Sequence, residues 1–159
     1  MKRVLSIQDI SCIGKCSLTV ALPIISAMGI ETSILPTSIL STHTMFNDFT
    51  FRDLTDDMEP IKKHWQKEGF SFDAIYTGYL GSEKQITLVK DYFKTFGNTC
   101  KYIIVDPAMA DNGKLYSGFD KDFPLKMAKL CKYADVILPN ISEAAFMTGM
   151  PYPGENASN

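Results

Sequence analysis

Polar side chains that could do acid–base or metal chemistry stand directly after short apolar runs of this 159-residue sequence. Asp106 follows the run 102–105, where it could lie near a metal-bound polyphosphate or simply form a turn by bonding backbone amides. Asn140 and Glu143 follow the run 136–138. Their amide and carboxylate oxygens would suit a hydrated Mg²⁺ ion, and the alternative is ordinary capping of a helix in which Glu143 is an exposed first-turn acid.

A second group of side chains suits an organic ligand. Asp9 comes just after the first apolar run, and His43 with Thr44 offers an imidazole and a hydroxyl beside apolar residues. Tyr79 follows another apolar run and could stack on an aromatic ligand or merely cover the core. For His43 the alternative is a solvated histidine in a loop.

Several common catalytic motifs are excluded. The segment 14–17 (GKCS) resembles part of a phosphate-binding loop, but Asp9 stands where that motif needs glycine and Cys16 where it needs serine or threonine. The sequence contains no GxGxxG, HExxH or GxSxG pattern, which excludes the commonest dinucleotide, zinc-protease and hydrolase sites.

Composition narrows the class of protein further. The chain is 45% hydrophobic and 21% charged, with a net charge of −2, which is typical of a globular domain and unfavourable for nucleic-acid binding. No apolar run is long enough for a membrane helix, and the N-terminal run is too short for a signal peptide. The four cysteines form no CxxC pair, which indicates free thiols. We therefore expect a cytoplasmic protein with neither nucleic acid nor membrane as partner.

The elements that must position these side chains alternate along the chain. Apolar runs predict strands at 4–7, 32–35, 74–77, 102–105 and 136–138. Helical spacing and capping residues predict helices at 17–28, 55–68, 82–97, 121–133 and 142–148. Pro36 is expected to close the second strand, residues 37–54 to be irregular or form a small extra sheet, and Ser82 with Gln85 to form a capping box. This order predicts a mainly parallel sheet covered by helices on both faces, with ligands at the carboxyl ends of its strands.

Five short segments, taken together, resemble the pyridoxal/pyridoxamine kinases of the ribokinase-like superfamily over about residues 3–152. They are 6–8 (SIQ), 41–44 (STHT), 77–81 (TGYLG), 105–109 (VDPAM) and 139–143 (PNISE). The resemblance implies a three-layer αβα fold and an ATP- and Mg²⁺-dependent kinase that phosphorylates the 5′-hydroxymethyl group of a B6 vitamer. Such kinases are commonly homodimers.

The resemblance also assigns roles to residues. The vitamer side would comprise Asp9, His43, Thr44 and Tyr79. The nucleotide side would comprise Asp106, Asp111, Tyr116 and Glu143. Asn140 and Glu143 would organise Mg²⁺ through water. We expect the two sides to meet at the carboxyl ends of the strands.

Two features depart from the family pattern. Asp9 replaces the usual serine, and its carboxylate could pair with a protonated aminomethyl or pyridinium group, which makes a preference for pyridoxamine or pyridoxine a hypothesis. The glycine-rich GTGD-type segment with the catalytic aspartate is not found in these 159 residues. We therefore expect one ribokinase-like domain over 1–159, incomplete at its C-terminal side, with a polar tail from about 153. Alone, it should be inactive or nearly so.

Two other functions stay open on the sequence. A hydroxymethylpyrimidine kinase of the same superfamily would also take a small hydroxymethyl heteroaromatic substrate. A non-catalytic module that binds a nucleotide or vitamer would explain why no candidate base lies downstream of Glu143.

Overall fold

The computed structural model describes residues 1–154 of the chain, so most of the expected polar tail, 155–159, lies outside the described residues. Its strands are β1 (Arg3–Ile13), β2 (Glu31–Thr42), β3 (Phe51–Asp53), β4 (Ala74–Thr77), β5 (Tyr102–Val105), β6 (Ala110–Asp111), β7 (Lys114–Leu115) and β8 (Val136–Ile137). Its helices are α1 (Leu18–Ala27), α2 (Thr55–Lys67), α3 (Glu83–Phe96), α4 (Phe123–Cys131) and α5 (Ile141–Thr148).

The strands form one six-stranded sheet in the order β3-β2-β1-β4-β5-β8, and β6 with β7 forms a separate hairpin. All neighbours in the large sheet are parallel except β2 and β3. The chain therefore winds outward in both directions from β1, and the order reverses between β1 and β4, where α/β sheets usually bind ligands. The predicted α/β class with a mainly parallel sheet is confirmed.

Apolar side chains from one face of the sheet build the core with α2, α3 and α4. Leu5, Ile75 and Val105 are fully buried there, as are Tyr92 and Met127 from the helices. Helix α1 contacts β1 and β2 but contributes no residue to this cluster within the described residues. It covers the other face, so helices flank the sheet on both sides.

The β8 edge of the sheet leaves apolar side chains exposed. Val136 and Ile137 are 40% and 45% exposed, and Tyr102 on the neighbouring strand is 45% exposed. No strand pairs with the outer edge of β8 within residues 1–154. An uncovered apolar edge of this kind favours association with another chain or segment.

The first two strands are much longer than predicted, and this corrects the placement of two residues. Asp9 lies inside β1 instead of after it, and Pro36 lies inside β2 instead of closing it. The two strands pair along most of their length, with a register shift between Gln8 and Ile10. Such a bulge accommodates a proline, because a bulged strand does not need every backbone N–H for pairing.

Local sequence patterns also failed to predict two smaller features, the strand β3 and the partner of the Gln85 side chain. β3 joins the main sheet as an antiparallel edge strand, so part of the expected irregular segment is ordered. The capping box of α3 forms only in half: Ser82 Oγ accepts a hydrogen bond from the backbone N–H of Gln85 at 3.2 Å. The Gln85 side chain does not return to Ser82 and instead accepts from the backbone N–H of Gly81 at 2.8 Å.

Candidate active site

A cavity of about 610 Å³ opens at the carboxyl ends of the central strands. It is lined by six of the side chains that the sequence analysis singled out, from segments more than a hundred residues apart at the extremes: Asp9, His43, Thr44, Tyr79, Asp111 and Tyr116. His43 and Tyr79 follow strands of the parallel sheet, Asp9 lies in the second half of β1, and Asp111 and Tyr116 belong to the β6–β7 hairpin beside the same edge.

Asp9 is the most unusual of these side chains. It is only 4% exposed, and its Oδ2 accepts a hydrogen bond from the Ser11 hydroxyl at 3.2 Å. Its Oδ1 has no hydrogen-bond partner among residues 1–154. Burial raises the pKa of the Asp9 carboxyl, and hydroxyls of Ser17 and Ser11 partly offset this effect. Such an oxygen can accept a hydrogen bond from a ligand or pair with a cationic group.

His43 and Thr44 form another part of the wall, just after β2. The His43 ring packs against Phe46 with 4.8 Å between ring centroids, and its Nδ1 accepts from the backbone N–H of Met45 at 3.4 Å. Gly14 passes close to this imidazole: a Cβ at Gly14 would lie 2.7 Å from His43 Cδ2, and its φ is 127°. Glycine at this position therefore lets the β1–α1 turn approach the histidine.

Tyr79 is held in the turn between β4 and α3. Its ring packs against Phe119 with 5.6 Å between centroids. Its carbonyl oxygen accepts a hydrogen bond from Thr37 Oγ1 at 3.2 Å. Burial raises the pKa of the Tyr79 hydroxyl, and the charges of Asp9 and Asp53 raise it further. The tyrosine is therefore a neutral aromatic wall at ordinary pH.

Asp106 lies in an adjoining cavity of about 360 Å³, together with Gln8 and Tyr76. The two cavities share a wall that includes Lys15 and Tyr79. Burial raises the pKa of Asp106, while hydrogen bonds from the Ala108 backbone and the Tyr76 hydroxyl lower it. The structure thus places Asp106 beside the predicted vitamer side but not inside the same cavity.

Asn140 and Glu143 line neither cavity and instead form a complete capping box at the start of α5. Glu143 Oε2 accepts from the Asn140 backbone N–H at 2.9 Å, and Oε1 accepts from the Met109 backbone N–H at 3.1 Å. The Asn140 side chain donates to the Ala110 carbonyl at 2.8 Å. Both residues therefore hold the segment that follows Asp106 in place by hydrogen bonds.

Glu143 is only 2% exposed, so the alternative of an exposed first-turn acid is wrong about exposure, although the capping that it predicted is present. The backbone N–H of Met109, between β5 and β6, donates to its carboxylate, a tertiary contact that no local pattern reveals. Burial raises the pKa of Glu143, backbone amides lower it, and the nearby charge of Asp106 raises it. The expected role of Asn140 and Glu143 at Mg²⁺ stays a prediction.

Sequence reasoning missed the basic side chains of the larger cavity, Lys15 and Lys114. Lys15 belongs to the rejected GKCS segment, and its glycine-bearing turn was the available signal. Across residues 1–154, no three or more histidine, cysteine, aspartate or glutamate side chains group closely enough to hold a metal ion. None of the helices in the described chain is both long enough and apolar enough to cross a membrane.

Comparison with known sequences supports a single family. The phosphomethylpyrimidine kinase family profile matches residues 31–158. A candidate pyridoxal kinase of Schizosaccharomyces pombe is 29% identical over 154 residues, covering 94% of this chain and 49% of that protein. A pyridoxal kinase of Actinobacillus pleuropneumoniae is 28% identical and is matched over 54% of its length. The chain spans about half the length of these relatives.

Solved structures agree with this result. A candidate phosphomethylpyrimidine kinase of Bacteroides thetaiotaomicron, crystallised with pyridoxal, is 45% identical with a TM-score of 0.92, over 95% of this chain and 53% of that one. The pyridoxal kinase of Lactobacillus plantarum is 38% identical with a TM-score of 0.89, over 96% and 54% of the two chains. The chain is therefore a member of the phosphomethylpyrimidine kinase family of ribokinase-like proteins, and within that family it is pyridoxal kinase-like.

Proposed function

We propose that the whole protein transfers a phosphoryl group from ATP to the 5′-hydroxymethyl group of a B6 vitamer. In this proposal the present chain supplies the residues that line the vitamer-binding cavity and the residues that bind the metal and the nucleotide. The similarity to pyridoxal kinases over nearly the whole chain supports it, as does the 45% identity to a protein crystallised with pyridoxal. Because the chain spans about half of these relatives, the activity belongs to the whole protein.

The observation that carries the proposal is the free Oδ1 of Asp9 in a cavity also lined by Tyr79 and Thr44. A buried carboxylate oxygen without a partner is costly, and a cationic or hydrogen-bonding ligand relieves that cost. B6 vitamers carry a pyridine nitrogen that can be protonated, and pyridoxamine also carries an ammonium group. The proposal includes a preference for pyridoxamine or pyridoxine over pyridoxal, with the Asp9 carboxylate paired to one of these cationic groups.

The other residues of the larger cavity would position the ring. The Tyr79 face would pack on the pyridine, while the Thr44 hydroxyl and the His43 imidazole would bond its polar substituents. Asp111 and Tyr116 line the same cavity and are proposed for the nucleotide side. This arrangement would hold the hydroxymethyl group in one orientation, which is the main requirement of phosphoryl transfer.

Asp106, Asn140 and Glu143 would hold Mg²⁺ with the nucleotide. The carboxylate and amide oxygens suit a hydrated ion. Burial is the main cause of the raised pKa of Glu143, the charge of Asp106 adds to it, and a divalent cation would relieve that repulsion. Both Glu143 oxygens already accept backbone N–H groups, which favours contact through water. When bound, Mg²⁺ would neutralise charge on the transferring phosphate. The catalytic base is proposed to lie beyond these residues.

The family description makes a hydroxymethylpyrimidine kinase the second candidate. That substrate is also a small heteroaromatic hydroxymethyl compound and would fill the same cavity. A binding module without activity is the third candidate.

The test measures kcat/KM of the whole protein for pyridoxal, pyridoxamine, pyridoxine and hydroxymethylpyrimidine with Mg·ATP. The proposal expects turnover of B6 vitamers to exceed that of the pyrimidine. The reverse order would favour the second candidate, and vitamer binding without turnover would favour the third.

Asp9→Ser tests the preference among vitamers, with Asp57→Ser as a control at an exposed residue. We expect Asp9→Ser to shift the relative kcat/KM values toward pyridoxal and the control to leave them unchanged. If Asp9→Ser leaves the three ratios as they are, the carboxylate does not select the vitamer.

A further inference from the structure

Gln85 occupies a position that a capping role does not explain. It lies in the first turn of α3, where a glutamine would be expected to bond back to Ser82. Gln85 is 1% exposed, and its side chain turns away toward β2 and the β4–α3 turn. The acceptor end of its amide therefore contacts the β4–α3 turn, and the donor end contacts β2, β3 and the start of α2.

The acceptor end holds the turn that carries Tyr79. Gln85 Oε1 accepts a hydrogen bond from the backbone N–H of Gly81 at 2.8 Å. A Cβ at Gly81 would lie 3.6 Å from Tyr79 Cε1 and 3.8 Å from Gln85 Oε1, so the tyrosine ring passes close to this glycine. The hydrogen bond thus fixes the backbone against which the Tyr79 ring rests.

The donor end holds β2. Gln85 Nε2 donates to the Thr37 carbonyl at 2.9 Å and to Thr55 Oγ1 at 2.9 Å, and Asp53 Oδ1 lies at 3.2 Å as a further acceptor. The Thr37 hydroxyl in turn donates to the Tyr79 carbonyl at 3.2 Å. Thr37, Tyr79, Gly81 and Gln85 therefore form a closed ring of contacts, which ties the turn to β2 on both sides of residue 80.

We infer that Gln85 is a positioning residue of the vitamer pocket: its buried amide locks the β4–α3 turn onto β2 and so holds Tyr79 in the cavity wall. This inference rests on the proposed function, because the cavity is assigned to the vitamer there. The role needs an acceptor and a donor in one planar group. Glutamine supplies both, whereas an ionised glutamate supplies only acceptors.

The experiment compares vitamer affinity in the whole protein by calorimetric titration with pyridoxine. Gln85→Leu removes both ends of the amide, and Gln85→Glu keeps the acceptor while replacing the donor. A pure capping role predicts no effect of Gln85→Glu, because glutamate also caps helices well. The positioning role predicts that both variants weaken affinity about tenfold or more.

A double-mutant cycle shows whether Gln85 acts through Tyr79. Tyr79→Ala should weaken affinity by itself, and adding Gln85→Leu should cause no further loss. Tyr92→Phe is the matched control, because it removes a buried hydrogen bond to the Met58 carbonyl (2.6 Å) at a residue that lines neither cavity. It should lower thermal stability while leaving pyridoxine affinity within about twofold.

The inference is overturned if Gln85→Leu and Gln85→Glu leave the affinity within twofold of the native protein, or if the losses from Gln85→Leu and Tyr79→Ala are additive. If the native protein binds no vitamer, the proposed function fails. The rate of amide hydrogen exchange at Gly81 then tests whether Gln85 holds the turn. Faster exchange in Gln85→Leu would support the lock on the turn. Unchanged exchange would overturn it.

Discussion

Replacing Asp9 with asparagine should stabilise the folded protein at neutral pH. Asp9 is 4% exposed, and only its Oδ2 accepts a hydrogen bond among the described residues, from the Ser11 hydroxyl at 3.2 Å. Asparagine has nearly the same shape, and its carbonyl oxygen can accept the same hydrogen bond. The substitution therefore removes the charge and keeps the shape, while an amide N–H₂ group takes the place of Oδ1.

The size and the pH dependence of this effect follow from burial. Because burial raises the pKa of Asp9, the folded protein holds this proton more tightly than the unfolded chain does. The free energy of unfolding therefore falls as pH rises from the ordinary aspartate pKa through the raised one, and the cost is absent at lower pH. Removing a buried charge with one unbonded oxygen should give about 1–2 kcal/mol at pH 8. In a chain of this size that corresponds to a rise of roughly 2–8 °C in Tm.

Thermal unfolding between pH 4 and pH 8 tests this prediction. The single tryptophan, Trp65, reports on the core, because its ring lies 5.7 Å from Phe72 and 6.3 Å from Tyr92 between centroids. Asp48→Asn, at an exposed acid, is the control and should change stability by less than about 0.5 kcal/mol at every pH. A stability difference between Asp9→Asn and the native protein that does not grow with pH would refute the argument from burial.

Three further predictions concern the metal side, the fragment and the β1–α1 turn. Glu143→Gln should lower the free energy of unfolding by about 1–3 kcal/mol, since one oxygen that accepts a backbone N–H is lost, and should also weaken Mg·ATP binding. Unchanged Mg·ATP affinity in a titration would leave capping as its only role. Residues 1–159 alone should phosphorylate pyridoxal or pyridoxamine at least about 10²-fold more slowly than the whole protein, because a general base contributes 10²–10⁴-fold. Comparable kcat values would mean that the base lies within this chain. Gly14→Ala should weaken pyridoxine binding because its Cβ would lie 2.7 Å from His43 Cδ2, whereas Gly29→Ala, also at positive φ but without any atom within 4 Å, should cost only stability. Equal affinities of these two variants in a titration would contradict the contact with His43.

Much of the fold could be predicted from local patterns. The strands at 74–77 and 102–105 lie at the predicted residues, because each is a short apolar run bounded by polar residues. The alternation of strands and helices was enough to predict a parallel sheet, since parallel strands need a helical crossover between them. The same logic led to the carboxyl ends of the strands, where six of the expected side chains line one cavity.

The environment of the site residues depended on contacts between distant segments. Asp9 lies within a bulged pairing of β1 with β2, and the apolar run ending at Ile7 gave no sign that the strand continues. Gln85 looked like a capping residue, yet its partners lie on Thr37 and Gly81. Glu143 looked exposed, yet it is buried and accepts a hydrogen bond from the Met109 backbone N–H.

Sequence alone thus determined the order of the elements and the edge of the sheet at which the candidate site residues lie, because periodicity and capping are local properties of the chain. Tertiary structure alone decided which polar atoms are buried, which are bonded and which are left free, as Asp9 Oδ1 is among the described residues. The physical reason is that burial and hydrogen bonding depend on segments that meet only when the strands assemble on both sides of β1. A residue's neighbours along the chain do not reveal those partners.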